Sequence, residues 1–187
     1  MNITVYLGSS FGKDEKYRRA AERLGTWIGE NGHRLIYGGS RVGLMGVLST
    51  AVLGAGGHVI GVEPEFFVKN ALQNEDIDEL IVTKDMRERK GKMIELGDAF
   101  IAFPGGTGTL EEITEVMEMT TLARIEEGKE GGIDSPCIFF NLDGYYDHIR
   151  ALLLQMVEAG FLEKHRLGGV HFAESLEEIV QILTSGS

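Results

Sequence analysis

This chain of 187 residues has one cysteine, three prolines and no apolar run long enough to cross a bilayer, and each scarcity narrows what it can be. With one cysteine no disulfide can close within the chain. Cys137 stands in the apolar run Cys137-Ile138-Phe139-Phe140, where a buried structural thiol is expected rather than a nucleophile. No Pro/Ser-rich linker interrupts the sequence, and a hydrophobic content of 43% is enough for a single well-buried domain over residues 1–187. Positive charge is also short, with 18 Lys and Arg against 29 Asp and Glu and a net charge of -11. That balance argues against nucleic acid as a partner, because binding it depends on covering phosphates with cations. The chain enters a strand at once (Ile3-Thr4-Val5-Tyr6-Leu7) with no basic leader, so no membrane partner and a cytoplasmic location are expected. His33, His58, His148, His165 and His171 form neither H-E-x-x-H nor a close i, i+4 pair. No metal and no cofactor is expected.

What the sequence does have is alternation. Short apolar runs recur at residues 3–7, 34–37, 58–62, 80–83, 99–103, 137–141 and 170–172, with helical patterns between most of them. Such an order predicts an α/β fold, a three-layer sandwich with a mostly parallel sheet between helices. In the first helix Tyr17, Ala20, Ala21, Leu24 and Ile28 share one stripe, Asp14 is placed to cap it, and Asn31-Gly32 ends it. The last helix opens on a capping box, Ser175 with Glu178, and turns Leu176, Ile179, Ile182 and Leu183 inward. The segment from Leu44 to Ala55 is too apolar for one sheet-facing stripe and calls for further cover, within the subunit or by a second copy.

Ligands of open α/β sheets bind beyond the carboxyl ends of the strands, and three loops there are rich in glycine: Gly8-Ser9-Ser10-Phe11-Gly12, Gly38-Gly39 through Gly43-Leu44-Met45-Gly46, and Gly105-Gly106-Thr107-Gly108. The third follows Ile101-Ala102-Phe103-Pro104 and runs into a helix expected to start near Thr109, with Glu111 and Glu112 in its first turn. Glycines there let the backbone present N–H groups to an anion at the positive end of the helix. A carboxylate beside that anion is better aimed at another part of the ligand, such as the sugar of a nucleotide. The plain alternative is a tight strand-to-helix turn. Neither G-x-G-x-x-G nor G-K-[S/T] is present, which excludes the usual dehydrogenase and P-loop signatures.

A further signal lies in residues 86–97. Met86, Met93 and Leu96 fall on one helical stripe, and Arg89 and Lys90 interrupt it. A charge run is usually a solvated face, but cations on an apolar stripe are costly unless they meet an anion or a cleft. Arg89 offers a permanently charged bidentate fork.

With these motifs in place, the chain resembles the LONELY GUY family of cytokinin riboside 5′-monophosphate phosphoribohydrolases, whose bacterial members were often labelled lysine decarboxylases. The P-G-G-x-G-T-x-x-E signature stands as Pro104 to Glu112, the R-K pair as Arg89-Lys90 after Asp85-Met86, and the N-G-Y-Y-type segment as Asn141-Leu142-Asp143-Gly144-Tyr145-Tyr146. The resemblance implies a Rossmann-like α/β fold, a homodimer, and hydrolysis of the N-glycosidic bond of a nucleoside 5′-monophosphate with Arg89 and Glu112 as the catalytic pair. Substrate contacts are expected from Gly8, Ser9, Gly38, Gly39, Met86, Lys90, Gly105, Gly106, Thr107, Gly108, Thr109 and Glu115. The chain departs from the family pattern after the signature helix, at Glu118 to Leu122 and in the inserted loop Glu126-Glu127-Gly128-Lys129-Glu130-Gly131-Gly132. It also departs upstream of the R-K pair, where Asn70 or Ala71 falls near the place of a ligand-binding Glu.

For the chemistry, a carboxylate near the anomeric carbon stabilises an oxocarbenium-like state or attacks it, the role that fits Glu112. Arg89 cannot give up a proton at working pH; Glu115, one turn on, is a candidate to hold one or else a solvated acid. The alternative from another class is a nucleotide or cofactor carrier of the same fold without catalysis. A decarboxylase would need a carbanion sink such as a pyridoxal-bound lysine, and Lys90 is better read as a phosphate or carboxylate partner.

Overall fold

The computed structural model describes residues 1–68, 73–126 and 135–185, with the side chains of 123–126 excepted. Asn70, Ala71 and the inserted residues 127–132 lie outside the described residues. The chain forms two compact units, Met1–Ala99 and Phe100–Ser187.

The first unit runs β1 (Asn2–Tyr6), α1 (Glu15–Glu30), β2 (Arg34–Tyr37), α2 (Gly43–Gly54), β3 (His58–Pro64), α3 (Glu65–Val68), β4 (Glu79–Thr83) and α4 (Met86–Leu96). Its strands lie in the order β4-β3-β2-β1, all parallel, with Ile3 opposite Leu35, Ile36 opposite Ile60 and Glu63 opposite Val82. The crossovers β1-α1-β2 and β2-α2-β3 step the same way along the sheet, so right-handed connection places α1 and α2 on one face. Thr4 marks the other face, its Oγ1 donating to the Met93 carbonyl of α4 at 3.1 Å. The alternate residues Ile3 and Val5, both fully buried, therefore point toward α1 and α2. Three layers result, helix, sheet and helix. Strands buried on both faces read as continuous apolar runs rather than alternating ones, which is how they stood in the sequence.

Helix α1 keeps its expected boundaries. The Asp14 side chain accepts from Lys16 N at 2.9 Å, Asn31 closes the helix, and Gly32 turns out of it at φ 67°. Ala21, Leu24 and Ile28 are buried, as are Gly25 and Gly29, which the apolar pattern did not single out. A Cβ at Gly25 would lie 2.7 Å from the Leu48 carbonyl oxygen and from Ala51 Cβ, and one at Gly29 equally close to the Val52 carbonyl oxygen and Ala55 Cβ. The two helices thus meet backbone to backbone. This contact supplies part of the cover that the apolar α2 calls for: Leu44, Leu48 and Val52 are buried, and Met45, Val47 and Leu53 half-buried.

The second unit holds β5 (Ala99–Ala102, whose first residue closes the first unit), α5 (Thr107–Glu126), β6 (Cys137–Phe140), α6 (Asp147–Glu158), β7 (Val170–Ala173) and α7 (Leu176–Thr184). The strands are parallel in the order β5-β6-β7, with Ile101 opposite Ile138 and Phe139 opposite Phe172. Phe139 and Phe172 stack at 4.8 Å, and Phe103 meets Phe140 edge-on at 5.4 Å. Each buried ring of this kind contributes roughly 1.5–3 kcal/mol by removal from water. Cys137 is fully buried and unbridged, and burial pushes its thiol far above the usual range, so it is structural as expected. Ser175 caps α7 as expected, its Oγ accepting from Glu178 N at 3.2 Å, while the Glu178 carboxylate accepts from Glu174 N at 2.8 Å, one residue before the cap; Ile179 and Leu183 are buried, Leu176 and Ile182 half-buried. Among the described residues no helix is long and apolar enough to cross a membrane, and no cluster of three or more His, Cys, Asp or Glu is placed to hold a metal.

The fold is α/β and Rossmann-like, its strands parallel. Each strand lies within a residue or two of the run read from the sequence, and the one difference that matters is at α5. That helix starts at Thr107 and not near Thr109, and no acid stands in its first turn. Glu111 and Glu112 belong to the second turn. Gly108 is accepted so early because the first-turn N–H groups have no partners within the helix in any case, and glycine costs little where the helix has barely begun.

Candidate active site

In the first unit the site residues gather at the carboxyl ends of β2 and β3. Asp85 caps α4, accepting from Arg87 N and Glu88 N at 3.0 and 2.9 Å, and so fixes which face the fourth helical residue presents. That residue is Arg89, 8% exposed, one turn before fully buried Met93. Its Nε donates to the Val62 carbonyl of β3 at 2.9 Å. A Cβ on Gly38 would fall 2.6 Å from Arg89 Nη2 and 2.9 Å from Met45 Sδ. The sequence reading of Arg89 as a cation on an inward stripe is thereby met, and Lys90 is half-buried. Met86, read on the same apolar stripe, lies at the surface. It is 37% exposed, because it is the first residue of α4 and side chains tilt toward the helix N-terminus, beyond the packed layer.

Sequence reasoning missed Glu63. The last residue but one of β3, it is 2% exposed, and its Oε2 is buried without a hydrogen-bond partner among the described residues. Gly39, at φ 83°, packs against it, with a Cβ there falling 3.1 Å from Glu63 Cβ. Burial raises the Glu63 carboxyl above the usual carboxylate range, and the Arg89 guanidinium opposes that rise. Beside it, burial likewise raises the Tyr37 phenol, with Ser49 and Asn74 acting the other way; Asn74 Nδ2 donates to Ser49 Oγ at 3.1 Å. An acid standing directly after the apolar run 58–62 was the signal that could have found this cluster.

Gly38 and Gly39, expected as ligand contacts, are both buried, and the structure supplies an internal reason for each: one makes room for Arg89, the other for Glu63. The loop at Gly8 and Ser9 lies against the start of α2, where a Cβ on Gly43 (φ 63°) would run into the Ser9 carbonyl. Gly8 is half-buried and Ser9 exposed.

The second unit carries the signature loop. Phe103 and Pro104 are buried, Gly105 half-buried, and Gly106, Thr107 and Gly108 exposed, before Thr109 turns inward at 3% exposure. Neither Gly106 nor Gly108 has a positive φ, and beyond the adjoining backbone a Cβ at either would meet no atom of the described residues within 4 Å. Among the described residues, no packing contact requires glycine at these positions. Along α5, Ile113 and Val116 are fully buried, whereas Glu112 and Glu115 share an adjacent half-buried face, three residues apart. The loop is held by two tyrosines absent from the expected site: Tyr146 Oη donates to the Phe103 carbonyl at 2.8 Å and Tyr145 Oη to the Gly105 carbonyl at 2.7 Å.

A family model described as "Possible lysine decarboxylase" matches residues 45–183. A cytokinin riboside 5′-monophosphate phosphoribohydrolase of Arabidopsis thaliana is 38% identical over 181 residues, 97% of this chain and 81% of the relative. The enzyme of that name from Rhodococcoides fascians is 37% identical over 185 residues, 98% and 89% of the two chains. The chain belongs to the LONELY GUY family. Among solved structures, a molybdenum cofactor binding protein of Rippkaea orientalis aligns with a TM-score of 0.69 at 26% identity, over 98% of this chain and 95% of that one. Of the residues that carry the resemblance, Arg89 and Lys90 stand on helix α4, and the Gly105 loop and Glu112 stand on the passage from strand β5 through the loop into helix α5.

Proposed function

We propose that this chain hydrolyses the N-glycosidic bond of a nucleoside 5′-monophosphate, a cytokinin nucleotide or one like AMP, giving free base and ribose 5-phosphate. The relatives carry that activity in their names. The observation that supports it most is the pair Gly106 and Gly108: among the described residues their missing side chains make room for no neighbour, which suits open space kept for a ligand. A phosphate suits it, since the first N–H groups of α5 are directed outward at the positive end of a 20-residue helix.

In this reading Gly105, Gly106, Thr107, Gly108 and Thr109 hold the phosphate, and the family resemblance adds Gly8, Ser9, Gly38, Gly39, Met86 and Lys90 as substrate contacts. The Glu112 carboxylate stabilises positive charge at the anomeric carbon, or attacks it, while the C1′–N bond breaks. Water supplies the hydroxyl that the sugar gains, and the base leaves with a proton. Arg89 orients and stabilises without transferring that proton, and Glu115 is the candidate to hold it. The working form is a homodimer in the cytoplasm, and light scattering at micromolar concentration tests the dimer.

Incubation with a panel of nucleoside monophosphates tests the reaction: free base together with ribose 5-phosphate is expected. Tight binding of a nucleotide with no base released by any member would instead favour the carrier reading, for which the likeness to the Rippkaea orientalis protein is the support.

A further inference from the structure

Two adjacent tyrosines hold two carbonyls of one loop, and the two bonds have different consequences. Asn141, 1% exposed, anchors the segment that follows it: its Oδ1 accepts from Tyr146 N at 2.6 Å and its Nδ2 donates to Asp147 Oδ1 at 2.8 Å. Between them the chain turns through Asp143 at φ 51° and Gly144 at φ 75°. The rings then meet edge to face, with centroids 5.0 Å apart at 85°.

The described chain contains no cis peptide. In a trans peptide the carbonyl and the following N–H point in opposite directions. Because Tyr145 Oη holds the Gly105 carbonyl, the Gly106 N–H is turned away from the phenol ring. The other side of Gly106 is fixed as well, since its own carbonyl accepts from Leu110 N at 3.2 Å and starts α5. The same geometry at Tyr146 orients nothing of the kind. The peptide it holds joins Phe103 to Pro104, and proline has no N–H.

We propose that Tyr145 is a positioning residue of the phosphate loop: its hydroxyl turns the Gly105–Gly106 peptide so that the Gly106 N–H is presented to the phosphate of the substrate. This rests on the reading of that loop as the phosphate site. Tyr145 touches no reacting atom and acts through the backbone. A hydrogen bond whose net contribution is about 0.5–1.5 kcal/mol corresponds to roughly two- to tenfold in affinity.

The test compares AMP with adenosine, by calorimetry, on wild type, Tyr145→Phe and Tyr146→Phe, with steady-state base release alongside. Tyr145→Phe keeps the ring, and should weaken AMP roughly three- to tenfold, leave adenosine unchanged, and raise KM with kcat within about twofold. Tyr146→Phe should lower the melting temperature and leave the AMP-to-adenosine ratio at the wild-type value. A Tyr145→Phe protein that keeps the wild-type ratio overturns the proposal and leaves the phosphate site standing. An equal loss of ratio in both variants also overturns it, since loosening of the loop as a whole would then suffice. A wild-type protein that binds AMP no better than adenosine overturns the reading of the loop itself, and the positioning role with it.

Discussion

The Cβ that Gly38 lacks would stand 2.6 Å from Nη2 of Arg89, so the guanidinium occupies the space left by a missing side chain. Gly38→Ala is therefore expected to move Arg89. The displaced neighbours, Arg89 and Met45, are far ends of flexible side chains, so the fold should lose less than about 2 kcal/mol. Turnover should fall more, roughly 10–100-fold, because a displacement near 1 Å in a positioning group carries such a cost. Thermal unfolding and base release on the same preparation separate the two, and unchanged turnover would show that the location of Arg89 is not critical.

Glu112→Gln removes charge and keeps shape. If the carboxylate acts in the transition state, turnover falls by about 10²–10⁴ while nucleotide affinity stays near wild type or tightens. Arg89→Ala should weaken both binding and rate, since its fork serves ground and transition states alike. The measurements are base release and calorimetric affinity for each purified variant; wild-type turnover in Glu112→Gln would remove the catalytic assignment.

Glu63 gives the fold a pH dependence. Its carboxyl is raised in the folded state, chiefly by burial, so its protonated form is favoured on folding. The corresponding stability is present in full below the ordinary carboxylate value of 4.5 and is lost as pH climbs through the raised folded value. Wild type should thus lose melting temperature relative to Glu63→Gln as pH rises from 4.5, by about 1.4 kcal/mol for every pH unit that separates the folded value from the unfolded one. At this size 1 kcal/mol is about 2–4 °C. A difference between the two proteins that stays constant from pH 4.5 to 8.5 would contradict this account.

Gly25→Ala sets two effects against each other. Alanine is better than glycine in a helix by about 1 kcal/mol, but the added carbon would sit 2.7 Å from the Leu48 carbonyl oxygen of α2, and a backbone atom yields poorly. Overpacking of this kind costs about 1–3 kcal/mol. The net expectation is a lower midpoint in urea with the m-value unchanged; a rise would mean that α1 and α2 separate without cost.

Much of this was legible from residue order alone. Apolar runs buried on both faces, the cap at Asp14, the stop at Asn31-Gly32 and the cap at Ser175 are local signals, set by side-chain chemistry within a few residues. The Gly105 loop was legible for the same reason, as a strand, a glycine turn and a helix in immediate succession. The start of α5 was misjudged by two residues because G-x-G reads as loop, while a helix tolerates glycine in its first turn.

Sequence by itself determined the α/β order, the inward phase of Arg89 and the motif that marks the family, since these depend on periodicity and spacing along the chain. Only the tertiary structure decided which glycines serve the protein and which leave space open. The spaces at Gly38 and Gly39 are filled by Arg89 and Glu63 from other elements, whereas those at Gly106 and Gly108 are filled by none of the described residues. It also decided that Glu63 is buried beside a guanidinium and that Tyr145, 40 residues along the chain, holds the Gly105 carbonyl. The physical reason is the same in each case: packing and hydrogen bonding between residues far apart in the chain depend on where the strands end in space, and no local pattern carries that information.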